Sequence, residues 1–256
     1  MLRIYSIELT NICNLRCDHC PSHGSVYPRG MITPETFEKC LQFVDPKTLP
    51  VITGFGESLL HPNYATVLGL AKKYNVHMAI HTNGLLLSEE DVSLLLNSNI
   101  VNLEISIHTK KSLAAFKMAY EYIIQRDPNF HLKANIMSCY TDQLQGWIND
   151  TGISQDALRR ITVINMHNWA MNDREYTPAE NLKWQDKCGF LKNDMAVIRW
   201  DGRVYTCCVD SEGINHIGHV NDFPKLSIQR DLYKLCSKCS PAWFNGEIGG
   251  VYLPVV

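Results

Sequence analysis

Short apolar runs alternate with longer amphipathic segments over roughly the first 170 residues of this 256-residue chain. The run "RIYSIEL" has the alternation of a β-strand, and "TPETFEKCLQFV" has the apolar spacing of a helix that begins at Thr33 and Pro34. Further strands are predicted at "LPVITG", "VHMAIHT", "VNLEISI", "HLKANIMS" and "RITVIN". Further helices are predicted at "NYATVLGLAKKY", "SEEDVSLLLNS" and "KKSLAAFKMAYEYIIQR".

Six strands separated by helices predict an α/β fold, because such strands pair in parallel through right-handed crossovers. The sheet is then either open or closed into a barrel. The chain is too short for eight strand–helix units in addition to its cysteine-rich end, so a partial (β/α)6 TIM-like barrel fits better. We expect this barrel to occupy residues 1–175.

The pattern changes in the last third of the chain, where residues 166–187 are polar and irregular. The runs "MAVIRW" and "RVYTCC" follow and flank Asp201 and Gly202, a strong signal for a β-hairpin. The segment "DLYKLCSKCS" then resembles a helical turn. We expect a small second domain, a β-hairpin plus a helix, over residues 176–256.

Composition and charge exclude several classes of protein. The net charge of −2 shows no excess of basic residues, so we expect no nucleic-acid partner. The N-terminus lacks the pattern of a signal peptide, and no apolar run is long enough to span a membrane. These features predict a cytoplasmic protein without a membrane partner.

Ten cysteines are many for a chain without a signal peptide, and they favour metal binding or catalysis over disulfides. Three of them form the pattern C-x3-C-x2-C directly after the first predicted strand: Cys13, Cys17 and Cys20. Three thiolates leave one position of a tetrahedral metal site open. An iron–sulfur cluster would use that position, whereas a zinc site would need His19 or His23 as its fourth ligand.

The stretch "ELTNICNLRCDHCP" resembles the signature of the radical S-adenosylmethionine (radical SAM) enzymes. The resemblance implies that the three thiolates hold a [4Fe-4S] cluster whose fourth iron binds S-adenosylmethionine (SAM). It also implies reductive cleavage of SAM to a 5′-deoxyadenosyl radical, which abstracts hydrogen from a substrate. An external reductant such as flavodoxin or ferredoxin would supply the electron.

Four later segments extend the resemblance: "TGFGESLLHP", "HTNG", "SIHT" and "ANIMS". The family pattern assigns SAM contacts to His19, Gly54, Gly56, Glu57, Thr82, Asn83, Ser106 and Asn135. The glycines and Glu57 would bind the methionine amino group, and Asn135 the ribose. Ser58 departs from the proline that is usual after the glutamate. Each residue taken singly also fits a turn or a helix cap.

The C-terminal cysteines resemble a twitch domain, a shortened SPASM domain. The resemblance implies that a second, auxiliary [4Fe-4S] cluster is bound by Cys188, Cys207, Cys236 and Cys239. A four-cysteine zinc site is the alternative. Cys208 would be either a small buried side chain or a catalytic hydrogen-atom donor. We expect Cys40 and Cys139 to be structural.

Three functions fit this sequence. The first is an oxidoreductase that dehydrogenates a small molecule, with the auxiliary cluster as electron acceptor and Asp210 as a base or a turn residue. The second is a peptide-modifying epimerase or cross-linking enzyme that uses Cys208. The chain begins directly with its first strand, so we expect no leader-recognition domain, which lowers the peptide interpretation. The third is a non-catalytic iron–sulfur protein, for which a SAM site would have no use.

Overall fold

The computed structural model describes residues 2–164, 188–228 and the strand at 251–252. The chain divides into two compact units. The first unit comprises Met1–His61 and His167–Ile248, and the second comprises Pro62–Met166 and Gly249–Val256. The predicted boundary at residue 175 lies outside the described residues and stays a prediction.

The described residues form ten strands and seven α-helices. The strands are β1 (Arg3–Ile7), β2 (Val51–Ile52), β3 (Met78–Thr82), β4 (Ile100–Ile107), β5 (His131–Met137), β6 (Ile161–Ile164), β7 (Met195–Ile198), β8 (Arg203–Tyr205), β9 (His216–His219) and β10 (Val251–Tyr252). The helices are α1 (Pro34–Leu41), α2 (Tyr64–Lys73), α3 (Glu89–Leu96), α4 (Lys110–Arg126), α5 (Thr141–Thr151), α6 (Gln155–Leu158) and α7 (Gly189–Lys192).

Strand β1 is the central parallel strand of the first unit. It pairs in parallel with β2 and, on its other side, with β7. Strand β7 pairs with β8 in antiparallel orientation, and β8 pairs with β9 in the same way. Ile4 and Ile7 of β1 are fully buried, so a strand from the start of the chain holds together segments that lie far apart in sequence.

The predicted hairpin at Asp201 and Gly202 is confirmed. The backbone N–H of Gly202 donates to the carbonyl of Arg199 (2.9 Å), and Gly202 has φ +80°. A side chain is strained at this φ, and a Cβ would also lie 2.5 Å from Nε2 of His219. The turn therefore needs glycine for both its conformation and its packing.

The second unit contains four parallel strands in the order β3, β4, β5, β6, with β10 antiparallel beside β6. Helices α3 and α4 pack against β4. Leu103, Ile105 and Ile107 of β4 are buried on one face, and Glu104 and Ser106, which alternate with them, lie on the opposite face, where Glu104 is also buried. The sheet thus has one apolar face and one polar face.

The six strands predicted from the sequence are confirmed as β1–β6, and the four predicted helices as α1–α4. Thr33 caps α1 by accepting a hydrogen bond from the N–H of Thr36 (3.2 Å). Helix α5, in which Leu144 is the one buried residue, is not among the predicted helices. No helix within the described residues is both long and apolar enough to cross a membrane.

Candidate functional site

The cysteine loop, residues 13–20, lies in the first unit shortly after β1. Cys13, Cys17 and Cys20 are each half-buried, and no disulfide joins cysteines within the described residues. The N–H of Cys20 donates to the carbonyl of Cys17 (3.0 Å), and the N–H of Leu15 donates to Sγ of Cys13 (3.4 Å). The loop therefore turns tightly and presents three thiols from eight residues.

Side chains that precede the cysteine loop hold its start. Asn11 donates to the carbonyl of Pro28 (2.7 Å) and accepts from the N–H of Gly30 (2.9 Å). The hydroxyl of Thr10 donates to the carbonyl of Gly30 (2.7 Å) and accepts from the N–H of Ile12 (3.0 Å). These four hydrogen bonds fix the entry to the loop.

Arg29 braces the exit of the loop. Its guanidinium donates to the hydroxyl of Ser22 (2.7 Å), to the carbonyl of Ser22 and to the carbonyl of Asn11. Burial raises the pKa of the Cys20 thiol, while the N–H of Ser22 and the charge of Arg29 partly oppose this effect. The role of Arg29 is visible in the contacts and not in the sequence, because most of its partners are carbonyl groups.

The glycine segment, Gly54–Glu57, packs directly on the start of the cysteine loop. A Cβ on Gly56 would lie 2.4 Å from the carbonyl oxygen of Thr10 and 2.5 Å from that of Ile12. The N–H of Glu57 donates to the carbonyl of Ile12 (2.9 Å). Only glycine permits this approach, so the structure brings two of the predicted motifs together.

Glu57 is almost fully buried, and its side chain has a local partner. Its Oε1 accepts a hydrogen bond from the N–H of Leu59 (3.0 Å) and caps the short 3-10 turn Ser58–Leu60. This contact fits the helix-cap interpretation. The role of Glu57 toward SAM stays a prediction.

Thr82 and Asn83 lie at the end of β3 in the second unit, and both are buried. The hydroxyl of Thr82 accepts from the N–H of Gly84 (3.0 Å), and Oδ1 of Asn83 accepts from the N–H of Leu85 (2.9 Å). Both side chains therefore stabilise the turn in which Gly84 has φ +76°. Their predicted SAM contacts are not tested by these bonds.

Ser106 of β4 lies in register with Asn135 of β5, and the predicted SAM contacts of both residues stay predictions. Asn135 donates to Oε1 of Glu104, and Nζ of Lys133 lies 2.5 Å from Oε2 of the same carboxylate. Nε2 of His81 lies 3.6 Å from Oε2 of Glu104. Burial lowers the pKa of the His81 imidazole, whereas the charge of the Glu104 carboxylate acts to raise it. Sequence reasoning missed this polar cluster; Glu104 within the apolar strand "VNLEISI" is the signal that could have found it.

The C-terminal cysteines are only partly described. Cys188 directly precedes α7, and Cys207 and Cys208 follow β8; all three are half-buried. Cys236 and Cys239 lie outside the described residues, so the predicted four-ligand set stays a prediction. Cys40 is fully buried and Cys139 is exposed.

Asp210, the candidate base, is fully buried. Its carboxylate accepts hydrogen bonds from the N–H groups of Ile214 (2.9 Å) and Asn215 (2.7 Å). A carboxylate that is occupied in this way stabilises a turn, and the turn interpretation of Asp210 is the one that fits the contacts.

A cavity of about 440 Å³ borders the cysteine loop within the first unit. Cys17 and Cys20 lie on one side, and Ser211 and Glu212 on the other. Ser211 follows Cys208 by three residues, so the cavity is shared by the N-terminal cysteines and the chain just beyond the C-terminal cysteine pair. His19, the predicted neighbour of the adenine, lies on the same loop and is half-buried.

The residues of the first unit fit an iron–sulfur cluster and SAM. Three closely spaced thiols are the donors that iron–sulfur clusters take, and they provide one ligand fewer than a closed four-cysteine site. The glycine segment approaches this loop more closely than a side chain at Gly56 would allow. The predicted ligands and SAM contacts themselves stay predictions.

Comparison with known proteins agrees with this fit. The family model described as "Radical SAM superfamily" matches residues 7–123. A curated relative, the tungsten-containing aldehyde ferredoxin oxidoreductase cofactor-modifying protein of Pyrococcus furiosus, is 23% identical over 78% of this chain and 69% of its own length. The antilisterial bacteriocin subtilosin biosynthesis protein AlbA of Bacillus subtilis is 37% identical, but over 35% of this chain and 20% of its own length.

Solved structures share the fold. BtrN in complex with AdoMet and 2-DOIA superimposes with a TM-score of 0.56 at 16% identity, covering 87% of this chain and 79% of that one. Native anSMEcpe with bound AdoMet gives a TM-score of 0.60 at 14% identity, covering 94% of this chain and 84% of that one. The α/β fold with a partial TIM-like barrel is thus confirmed.

Members of the radical SAM superfamily are enzymes that use a [4Fe-4S] cluster and SAM. The family match begins in β1, spans the cysteine loop and the glycine segment, and ends within α4. The part of this chain that matches the radical SAM family model therefore contains both the cysteine loop and the glycine segment.

Proposed function

We propose that this chain is a radical SAM oxidoreductase that removes two electrons and two protons from a small molecule. When bound, the cluster and SAM supply a 5′-deoxyadenosyl radical that takes one hydrogen atom from the substrate. An auxiliary [4Fe-4S] cluster on Cys188, Cys207, Cys236 and Cys239 would accept the remaining electron. A base other than Asp210 takes the proton, because that carboxylate already accepts two backbone N–H groups.

The observation that carries this proposal is the cavity beside the cysteine loop. Its volume of about 440 Å³ suits a small molecule, since such sites measure roughly 300–1,000 Å³. Cys17 and Cys20 lie on one side, and the segment after Cys207 and Cys208 on the other. A substrate there would lie beside Cys17 and Cys20 and beside Ser211, three residues beyond Cys208, which would suit hydrogen abstraction followed by electron transfer.

Neighbouring strands of one sheet lead to Cys13 and to Cys207. Strand β7 leads through the hairpin to β8 and Cys207, and β7 pairs directly with β1, which leads to Cys13. The small-molecule class is supported by the likeness to BtrN, whose structure contains AdoMet and 2-DOIA.

The first test is the iron content of anaerobically prepared protein in which Cys13, Cys17 and Cys20 are changed to Ala. We expect about four irons per chain to remain, held by the auxiliary cysteines. A further change of Cys188 and Cys207 to Ala should remove them. The buried Cys40, changed to Ala, is the matched control and should keep the full iron content of the wild type.

Loss of all iron from the triple variant, with zinc in its place, would contradict the auxiliary cluster. The C-terminal cysteines would then be a structural site, and redox-neutral chemistry would replace oxidation. Production of 5′-deoxyadenosine by the reduced wild-type protein tests the radical SAM reaction separately.

Peptide modification is the second candidate, favoured by the similarity to AlbA, a bacteriocin biosynthesis protein. In this function Cys208, a half-buried thiol, would donate a hydrogen atom to a peptide radical. Deuterium from solvent would then enter the product through the exchangeable thiol, and Cys208→Ala would abolish its incorporation. Two-electron oxidation incorporates no solvent deuterium at carbon.

A further inference from the structure

Two oppositely charged side chains are enclosed within the first unit. Glu8 is 0% exposed and Arg199 is 1% exposed, and Nη1 of Arg199 lies 3.6 Å from Oε2 of Glu8. Glu8 directly follows β1, and Arg199 directly follows β7, the parallel neighbour of β1. A buried ion pair of this kind is weak evidence for stability, because apolar replacements are often equally stable. The pair therefore needs another explanation.

Arg199 is held by groups from several segments. Its guanidinium lies 4.4 Å from the ring centroid of Phe55, 4.9 Å from that of Tyr27 and 5.4 Å from that of Tyr205, which are cation–π distances. One arm of the guanidinium donates to the carbonyl of Asp210. Asp210 follows Cys208 by two residues, so Arg199 fixes the backbone just beyond the C-terminal cysteine pair.

Glu8 is held equally closely by the glycine segment. Its Oε2 accepts a hydrogen bond from the N–H of Phe55 (2.8 Å). A Cβ on Gly54 would lie 2.3 Å from Cγ of Glu8, so the glutamate side chain fills the space that a side chain at Gly54 would need. One glutamate thus determines the position of the backbone at both Gly54 and Phe55.

The hydrogen bonding of the pair is incomplete. Among the described residues, Oε1 of Glu8 and Nε of Arg199 have no hydrogen-bond partner, although both are buried. Unsatisfied buried atoms cost stability. The two unsatisfied atoms therefore argue against stabilisation as the main role of the pair. They favour a role in positioning the segments that Glu8 and Arg199 contact.

We propose that Glu8 and Arg199 are positioning residues that fix the glycine segment for SAM and join it to the backbone beyond Cys208. The inference rests on the proposed function and on the predicted contacts of Gly54, Gly56 and Glu57 with the methionine part of SAM. Neither residue touches the substrate in this proposal. Glu8 holds the backbone of Phe55, and Arg199 holds the backbone of Asp210. The ion pair keeps these two segments in a fixed position relative to each other.

The first test is the double variant Glu8→Leu/Arg199→Leu, which removes both charges and leaves no unpaired ion. It deletes the acceptor for Phe55 and the donor for Asp210. We expect the folded variant to keep its iron. The Kd for SAM should rise at least about tenfold, because the backbone at Phe55 and at Asp210 each loses its hydrogen bond to a charged side chain. The exposed pair Asp156→Ala/Arg159→Ala is the matched control and should bind SAM as the wild type does.

A second variant separates position from charge. Glu8→Gln keeps an amide oxygen that can accept from Phe55, so we expect SAM affinity closer to the wild type than in the double variant. A double variant that folds, keeps its iron and binds SAM with wild-type affinity would overturn the proposal.

Hydrogen–deuterium exchange of the wild-type holoprotein tests the link without any substitution. Addition of SAM should slow exchange in peptides that cover residues 53–57 and also in those that cover 206–215. Slowing confined to 53–57 would overturn the link between the two segments. If SAM binds and slows neither peptide, the assignment of SAM to the glycine segment is wrong. If SAM does not bind at all, the proposed function fails as well.

Discussion

The guanidinium of Arg29 donates a hydrogen bond of 2.7 Å to the hydroxyl of Ser22, two residues beyond Cys20. The same guanidinium bonds to the carbonyl of Asn11, two residues before Cys13. One side chain therefore joins the two ends of the cysteine loop. The spacing of the three thiols depends on this brace as well as on the local turn.

Replacement of Arg29 should weaken retention of a cluster on the cysteine loop. Arg29→Met keeps most of the side-chain volume but removes every donor, and two or three lost hydrogen bonds cost roughly 1–3 kcal/mol. We expect iron to be lost to a chelator about ten times faster than from the wild type. Arg159→Met, at an exposed position, is the control, and equal rates for the two variants would contradict the brace.

Gly56→Ala should disrupt the contact between the glycine segment and the cysteine loop. The new Cβ would lie 2.4–2.7 Å from backbone atoms of Thr10 and Ile12, which cannot move without shifting the loop. We expect SAM affinity to fall at least about tenfold, measured by calorimetry under anaerobic conditions.

The matched control for this change is Gly69→Ala. Gly69 lies inside α2, and a Cβ at this position would have no atom of the described residues within 4 Å. Alanine there should leave SAM binding unchanged and raise the free energy of unfolding by up to about 1 kcal/mol. Normal SAM binding by Gly56→Ala would show that the close approach is not required.

Gly202→Ala should destabilise the hairpin that precedes Cys207. A side chain at φ +80° is strained, and the Cβ would collide with His219. We expect the free energy of unfolding to fall by about 1–2 kcal/mol, as measured by urea unfolding. Gly152→Ala, also at positive φ but with space around the new Cβ, separates the backbone strain from the collision.

Stability should decrease as the pH falls below about 6.5 because of His81. Burial lowers the pKa of this imidazole in the folded chain, so the unfolded chain binds the proton more readily. The stabilisation by neutral His81 is present above the unfolded pKa and is lost as the pH falls through the folded pKa. Urea unfolding between about pH 8 and pH 5.5 measures this slope.

His81→Asn should flatten that pH dependence, whereas His131→Asn, at an exposed position on β5, should leave it as in the wild type. A variant at residue 81 with the same slope as the wild type would assign the pH dependence to other groups.

Local sequence signals predicted most of the fold. The alternation in "RIYSIEL" and "VNLEISI" marked β1 and β4, and Asp201 with Gly202 marked the hairpin, because these signals depend on neighbouring residues alone. The three-cysteine loop and the glycine segment were recognised for the same reason. Their contact through Gly56 was not predictable from either motif.

The contacts of charged residues were not predictable, because their partners are distant in sequence. Arg199 is an isolated charge in "MAVIRW", and its partner Glu8 follows a different strand. Glu104 likewise meets Lys133 and His81 only once β3, β4 and β5 are side by side. A sequence shows that such a charge needs a partner, whereas the fold shows which one it has.

The pairing of β1 with β7 has a consequence for how the protein is made. About 190 residues separate these neighbouring strands, and ribosomes add roughly 5–20 residues per second. About 10–40 s therefore pass between the synthesis of β1 and the synthesis of β7, with which it pairs. The cysteine loop leaves the ribosome long before that partner exists. We therefore expect stable cluster insertion to be a late event, after translation of the hairpin.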